Sequence, residues 1–533
     1  MNKRFSIYLP ILFSITLILG IIAGKYFLPG SSRDQSLSIF NHYDKFNDVI
    51  NYIENEYVDT IKKKTLLDKA ISGLLESLDP HSAYISANDF NDANDPLKGN
   101  FDGIGVQFRV IRDTIVVINT VPGGPSEKLG ILAGDRIIKI DGKNVANIKI
   151  PDAEVMKRLK GPRGTTVNVG IYRKDDHKLI NFSITRNIIP TYSVDVAYMV
   201  SSNIGYIKLS KFSASTAEEV HDAIASLKRQ GMTQLVFDLR GNGGGYLDAA
   251  INIADEFLPE KKLIVYTEGA HRPKQNYYSQ KGGLFETQKL VILIDEFSAS
   301  ASEILSGAIQ DNDRGTIIGR RSFGKGLVQE QIQLQDGSAI RLTVARYHTP
   351  TGRCIQKPYT SNIDEYYAEF YNRLLDENAD IVDSINFSDT VRYKTLKGKI
   401  VYGGGGIMPD IYIPFKSEFI SDYYRKIINK GIIAEFAFDF ADRSRKMLKG
   451  FNNAENYISK FQISDQLLND LVLFAEKKGI PKDEEGIKMA GTNLKALLKG
   501  SIGRNIFDDP AFYPVILNDD VTFKKAIEVL NLK

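Results

Sequence analysis

Twice in this chain a short apolar run gives way to a turn of small residues and then to a helical pattern, and that recurrence restricts the fold more than any other feature. Leu235-Val-Phe-Asp-Leu-Arg240 runs into Gly241-Asn-Gly243-Gly244-Gly245 and a helical stretch from Tyr246 to Phe257. Val291-Ile-Leu-Ile294 runs through Asp295-Glu-Phe-Ser298-Ala-Ser300-Ala into a helical stretch from Ser302 to Gln310. Apolar runs of this length read as buried strands, and the segments after them keep apolar residues at helical spacing. With Ile204–Leu209 and Thr316–Gly319 as further strands and Ser215–Arg229 as a Ser/Thr-capped helix, the architecture is α/β.

The same turns carry chemistry. A hydroxyl at a strand-to-helix turn is held out of the sheet, beside free N–H groups of the helix start that can stabilise negative charge on a substrate oxygen. The glycine turn at Gly241–Gly245 can present N–H groups in the same way. Serine is a poor nucleophile until a base takes its proton, and Ser322-Phe-Gly324-Lys325-Gly326-Leu-Val-Gln329 offers an amine between two glycines. A lysine does this only when desolvation or a nearby cation keeps it neutral. Gln329, four residues on, shares a face with Lys325 and is suited to orient the amine. Spacing alone does not choose among Ser298, Ser300 and Ser302.

Several competing readings fail on the same residues. Gly319–Gly326 nearly spells a phosphate-binding loop, but Gly326 stands where a Mg²⁺-binding hydroxyl is required, and an alternating strand pattern from Leu327 to Leu334 follows where a helix should begin. The Gly241–Gly245 spacing fits dinucleotide binding poorly. There is no G-x-S-x-G, and none of the six histidines sits in a triad motif. His81, in Leu78-Asp-Pro-His-Ser82, reads as a structural hydrogen-bonding residue of a turn. Cys354 is the single cysteine, which excludes an intrachain disulfide and a multi-cysteine metal site and reads as an ordinary thiol. A net charge of +3 leaves no footprint for nucleic acid, and the motifs require no metal or other cofactor.

At the N-terminus Lys3 and Arg4 precede an uncharged run from Phe5 to Gly24, long enough to span a membrane, with Lys25 after it. The positive end places the bulk of the chain outside the cytoplasm, and without an A-x-A site an uncleaved single-pass inner-membrane anchor with a periplasmic body is expected. Cleavage there would give a secreted form. The domains expected are this anchor over 1–30, a helical region over 31–99 with helices at Tyr43–Val58 and Leu66–Leu78, a small β domain over 100–186, the α/β core over 187–415, and a mostly helical domain over 416–533. The β domain shows strands at Thr114–Val121, Arg136–Ile140, Thr166–Tyr172 and Leu179–Ile184, interrupted by a helix at Asp152–Leu159. Its Gly103-Ile104-Gly105-Val106 turn, with Gly130–Ile137 and Ile140-Asp-Gly142, resembles a PDZ domain, in which such a turn binds a ligand's terminal carboxylate.

The ordered set Leu78-Asp-Pro-His-Ser82, the PDZ-like unit, Asp238-Leu-Arg-Gly-Asn-Gly-Gly-Gly245, Ser298-Ala-Ser-Ala-Ser-Glu-Ile304, Phe323-Gly-Lys-Gly-Leu-Val-Gln329 and Thr349-Pro-Thr-Gly-Arg353 resembles the carboxyl-terminal processing (tail-specific) proteases over about Asp44 to Pro414. The resemblance implies a crotonase-like ββα core with an inserted PDZ domain, helical N- and C-terminal regions and no metal. It makes Ser300 the nucleophile, Lys325 the general base and Gln329 its positioning partner. It places the oxyanion hole at the N–H of Ala301 and of Gly243 or Gly244, without choosing between the glycines. Gly103, Ile104, Gly105 and Val106 would bind substrate C-termini. The partners implied are proteins with apolar C-terminal tails; a homodimer or an adaptor protein is left open. The rival classes are a non-catalytic membrane-anchored PDZ scaffold and a Ser-His-Asp hydrolase.

Overall fold

The apolar runs assemble into one six-stranded sheet. Val194–Met199 lies antiparallel to Ile204–Leu209, and Gln234–Asp238, Lys289–Ile294, Thr316–Gly319 and Ile411–Tyr412 follow in that order, all parallel. The structure, a computed structural model, describes residues 14–20, 33–174, 176, 178–359, 363–375, 392–414 and 421–532. It forms two units, Met1–Leu75 and Glu76–Lys533.

Alternation along the strands sends side chains to both faces of this sheet, and both are covered. Ile207, Leu235, Phe237, Ile292 and Ile294 pack against the helices Thr216–Arg229, Leu247–Phe257 and Ala301–Asp311. On the other face Tyr206, Val236, Val291, Leu293 and Ile318 meet Phe523, Ala526 and Leu530 of the helix Val521–Asn531. Burial on both sides is why these strands read as continuous apolar runs. It also ties the far C-terminal helix to the core, although the sequence pattern groups it with a separate helical domain. Periodicity shows that a helix has an apolar face, not which surface that face covers. Residues 423–511 build a core of their own around Tyr423, Ile427, Phe436, Leu471, Leu494 and Leu498.

A second sheet is centred on Ala339–His348, paired with Leu327–Gln333 on one edge and with Ala83–Ile85 and Leu263–Gly269 on the other. Leu263–Gly269 continues into the hairpin strand Arg272–Tyr278. That strand is missing from the sequence reading because its residues, Arg-Pro-Lys-Gln-Asn-Tyr-Tyr, are almost all exposed and give no alternation. The small β domain orders its strands Val106–Ile111, Thr114–Thr120, Arg136–Ile140, Thr166–Tyr172 and Ile180–Thr185, with Lys143–Asn144 pairing the third. Ile115, Val117, Ile137 and Val167 pack there against Val155 and Leu159 of the helix Asp152–Leu159. A two-stranded ladder, Asn100–Gly103 with Asn187–Pro190, joins this domain to the core.

The N-terminal unit holds the helix Arg33–Glu56 and the start of Lys63–Glu76, linked by Lys63 Nζ donating to Asn51 Oδ1 at 2.8 Å. The first helix begins at Arg33 rather than Tyr43. Most of the apolar run Phe5–Gly24 lies outside the described residues; 14–20 are helical. Among the described residues no helix is long and apolar enough to cross a membrane.

Candidate active site

Ser300 sits at the N-cap of Ala301–Asp311 with φ 55° and ψ −112°, a conformation that L-residues other than glycine rarely adopt. Such a residue costs on the order of 1–3 kcal/mol and persists only where its surroundings over-determine it. Here they do. Its N–H donates to Glu303 Oε2 at 2.8 Å, and its carbonyl accepts from Ile304 N at 2.9 Å and Tyr347 OH at 3.1 Å. The three serines of the motif now separate. Ser298 is buried and donates to Leu239 O, and Ser302 is buried and donates to Asn242 O, each at 2.9 Å. Ser300 is only half-buried.

The glycine turn lies against this elbow. A Cβ on Gly244 would fall 2.7 Å from Ala299 O and 2.9 Å from Ser300 Cβ, and φ at Gly244 is +95°, so only glycine fits. Asn242 clamps the two turns together: its carbonyl accepts from Ala299 N, and its Oδ1 accepts from Gly244 N at 2.9 Å. Of the two glycines in question, Gly244 therefore already has its N–H engaged. Gly243 is exposed.

Lys325 enters from the loop before Leu327–Gln333. Its N–H donates to Glu303 Oε2 at 2.9 Å, and its carbonyl accepts from Tyr347 OH at 2.6 Å. Burial, with the Arg341 guanidinium, pushes the amine's pKa down, while the Glu303 and Asp79 carboxylates act the other way. Lys325 Nζ donates to Gln329 Oε1 at 2.9 Å, as the spacing suggested. A β-bulge between Val328 and Gln329 shifts the ladder where that side chain departs, a frequent device beside active sites. Among the described residues no hydrogen bond joins Ser300 Oγ directly to Lys325 Nζ.

Gln329 is itself held. Its Nε2 donates to the carbonyl of His81 at 2.6 Å. The turn at His81 is fixed by Asp79, whose carboxylate accepts from His81 N, Ser82 N and Ser82 Oγ at 2.8, 2.8 and 2.6 Å, and Ser82 Oγ accepts from Thr343 N opposite Gln329. The His81 ring makes a different hydrogen bond. Its Nε2 meets Tyr366 OH at 3.0 Å, and burial together with Lys325 lowers its pKa to about 4. In the hydrogen bonds that hold Gln329, it is the backbone carbonyl of His81 that takes part.

Arg353, from Thr349-Pro-Thr-Gly-Arg353, is fully buried at the C-terminal end of the serine helix. It donates to Asp311 Oδ1 and Gln310 Oε1, each at 2.7 Å, and to Tyr402 O at 2.9 Å. A cation at a helix C-terminus also complements the helix dipole. Sequence reasoning missed the roles of Glu303, Asp79 and Tyr347. Glu303 left one signal, the Ser-x-x-Glu spacing of a capping box counted from Ser300.

In the small β domain, Gly105 takes φ +73°, and the Ile104 carbonyl accepts from Ser126 N and Oγ. The turn Gly103–Val106 is thus braced through its carbonyl side, and among the described residues no backbone hydrogen bond outside the strand ladders uses the Ile104 or Gly105 N–H.

The strained serine packs against the glycine turn, and the desolvated lysine is tied to the same elbow through Glu303; comparison with known proteins identifies the family. The peptidase family S41 model matches residues 203–364, a PDZ domain 103–184, the activating protease CtpB N-terminal domain 28–89, and a family of unknown function 423–508. The carboxy-terminal-processing protease of Bartonella bacilliformis is 39% identical over 58% of this chain and 72% of its own length. Carboxy-terminal processing protease CtpA of Bacillus subtilis is 33% identical over 65% of this chain and 75% of its own. The solved photosystem II D1 C-terminal processing protease aligns at 28% identity over 58% of this chain and 83% of its own, with a TM-score of 0.35. The chain belongs to the carboxy-terminal processing proteases, serine peptidases of family S41 that carry a PDZ domain.

Proposed function

We propose that this chain is an endopeptidase that cleaves extracytoplasmic proteins at or near their C-termini, with Ser300 as nucleophile, Lys325 as general base and Gln329 as the residue that positions the base. The observation that carries this reading is the desolvated Lys325 amine bonded to Gln329 while Glu303 binds the backbone N–H of both Lys325 and Ser300. The neutral amine turns from Gln329 to take the Ser300 Oγ proton as the hydroxyl attacks a peptide carbonyl. The ammonium then protonates the leaving amine, and water, giving its proton to the same lysine, hydrolyses the acyl-enzyme. Apo contacts of this kind tighten only once substrate is bound. The N–H of Ala301, first residue of its helix, and of Gly243 serve the developing oxyanion; the engagement of Gly244 N–H by Asn242 favours Gly243.

In the same proposal the core is crotonase-like, the Phe5–Gly24 run anchors the chain with its body outside the cytoplasm, and the Gly103-Ile104-Gly105-Val106 turn takes the free carboxylate of apolar substrate tails. Labelling with a serine-directed fluorophosphonate tests the chemistry. Strong labelling of the parent and its loss in Ser300→Ala and Lys325→Ala are expected; undiminished labelling in folded Lys325→Ala would overturn the Ser/Lys assignment. Amidating the C-terminus of a model substrate should weaken its cleavage, and equal rates for blocked and free tails would remove tail capture. A reporter active only in the cytoplasm, fused after Lys533, should be silent, and its activity there would overturn the topology.

A further inference from the structure

Glu303 is a fully buried charged group of the site, and both of its carboxylate oxygens are engaged twice. Oε2 accepts the N–H of Ser300 at 2.8 Å and of Lys325 at 2.9 Å. Oε1 accepts Ser322 Oγ at 2.5 Å and Gly324 N at 2.7 Å. The residue is at zero solvent exposure. Burial of a lone carboxylate is expensive, and burial here pushes its pKa up. Four donors converge on it, two per oxygen, which matches the acceptor-only character of an ionised carboxylate. Ser322 completes the arrangement by accepting Ile407 N at 2.6 Å, which aims its own proton at Glu303.

A helix cap explains one of these bonds, Ser300 N–H to Glu303. It does not explain why the same carboxylate gathers three donors from the separate segment 322–325. We propose that Glu303 is a positioning residue of the peptidase reaction: one buried carboxylate sets the spacing between the serine elbow and the lysine loop. The proposal rests on Ser300 and Lys325 being nucleophile and base. The groups facing Lys325 are Glu303 from the serine helix, Arg341 and Tyr347 from Ala339–His348, and Asp79 and His81 from the preceding turn. Of these, Glu303 and Asp79 carry the negative charge that favours the ammonium, and Arg341 the positive charge that opposes it. Neutralising Glu303 therefore lowers the amine's pKa further and moves the rising limb of the pH–rate profile to lower pH.

The test uses the full chain and a peptide substrate, with kcat, KM and the pH profile measured for Glu303→Gln and Glu303→Asp and folding checked by circular dichroism. Glu303→Gln turns an amide NH₂ toward two N–H donors, so kcat should fall by about 100-fold, the scale of a displacement near 1 Å, with KM little changed. Its rising limb should sit at lower pH. Glu303→Asp keeps the charge but is one methylene shorter, so it should recover part of kcat and leave the limb near its parent position. Equal kcat for Glu303→Gln and the parent, or a fall in kcat with no movement of the limb, would overturn the proposal. If Glu303→Gln does not fold, Glu303→Asp decides alone: lower kcat with an unmoved limb supports the role, and parental kcat refutes it. Ser300→Ala and Lys325→Ala run alongside. Activity remaining in either would reject the Ser/Lys reading itself, whatever Glu303 does.

Discussion

Around Glu303 one carboxylate without solvent exposure gathers three backbone N–H groups and a hydroxyl, whereas at the seam between the PDZ domain and the C-terminal helices charge is paired at the surface. There Arg112 meets Asp439 and lies 3.6 Å from Glu435, Arg136 Nη2 lies 3.1 Å from Asp442 Oδ2, and Asn119 donates to Asp508. Glu435, Asp439 and Asp442 repeat at helical spacing along Ile432–Arg443, so one acidic face meets the two arginines. The difference lies in what each charge can hold. A buried carboxylate bonded to backbone fixes distances, because any shift leaves a donor unpaired in a medium that penalises it. Exposed pairs contribute about 0–1 kcal/mol each and weaken with salt, so they bias an orientation without locking it.

The largest effect that separates the two regions is chemical. Ser300→Ala should reduce peptide cleavage by at least about 10³-fold, while Ser298→Ala and Ser302→Ala leave measurable turnover. A Ser298→Ala loss as deep as that of Ser300→Ala would return the choice of nucleophile to the open state in which spacing leaves it. Lys325→Arg should be nearly as damaging, because a guanidinium stays protonated. The sign for the parent follows from burial: desolvation disfavours the ammonium and lowers the Lys325 pKa, so kcat/KM rises with pH through that lowered value. A profile falling over the same range would contradict a lysine base. Gln329→Ala, which frees the amine, should cost about tenfold to 100-fold.

Next come losses of stability. Arg353→Ala leaves Asp311 buried and unpaired and should cost about 3–5 kcal/mol, read as a lowered denaturation midpoint. Phe523→Ala should cost a similar amount, about 3–5 kcal/mol, through a cavity on the second face of the core sheet. An unchanged midpoint would mean that this helix is not built into the sheet. The smallest effect belongs to the seam. Arg112→Ala should shift the midpoint by no more than about 1 kcal/mol and make hydrogen exchange in the PDZ strands less sensitive to salt than in the parent. A loss as large as that of Arg353→Ala would mean that the seam is held as firmly as the buried Arg353–Asp311 pair.

Much of this was legible because buried strands leave apolar runs or alternation in the sequence and amphipathic helices leave their period. Arg136–Ile140, Asp152–Leu159, Thr166–Tyr172, Ile204–Leu209 and Thr316–Gly319 have the bounds their patterns suggest. Lys325 and Gln329 were legible as partners for the same reason, four residues apart on one segment. What stayed hidden depends on distant chain. Asp79 reaches Gln329 through the His81 carbonyl, an interaction in which side-chain identity at position 81 plays no part. The roles of Ser298 and Ser302 turn on Leu239 and Asn242, which belong to another turn. The bulge at Val328–Gln329 changes pairing without any glycine to announce it.

The helix Val521–Asn531 also has a consequence in time. The strands it covers leave the ribosome long before Phe523 does, and until then Tyr206, Val236, Val291, Leu293 and Ile318 form an apolar sheet surface open to water. Domains generally fold as units. The elbow that strains Ser300 hangs from that sheet, so a nascent chain carries this turn in an unfinished frame. On the proposed function, the peptidase site would then be completed only after a segment far downstream of the Ser300 turn has docked.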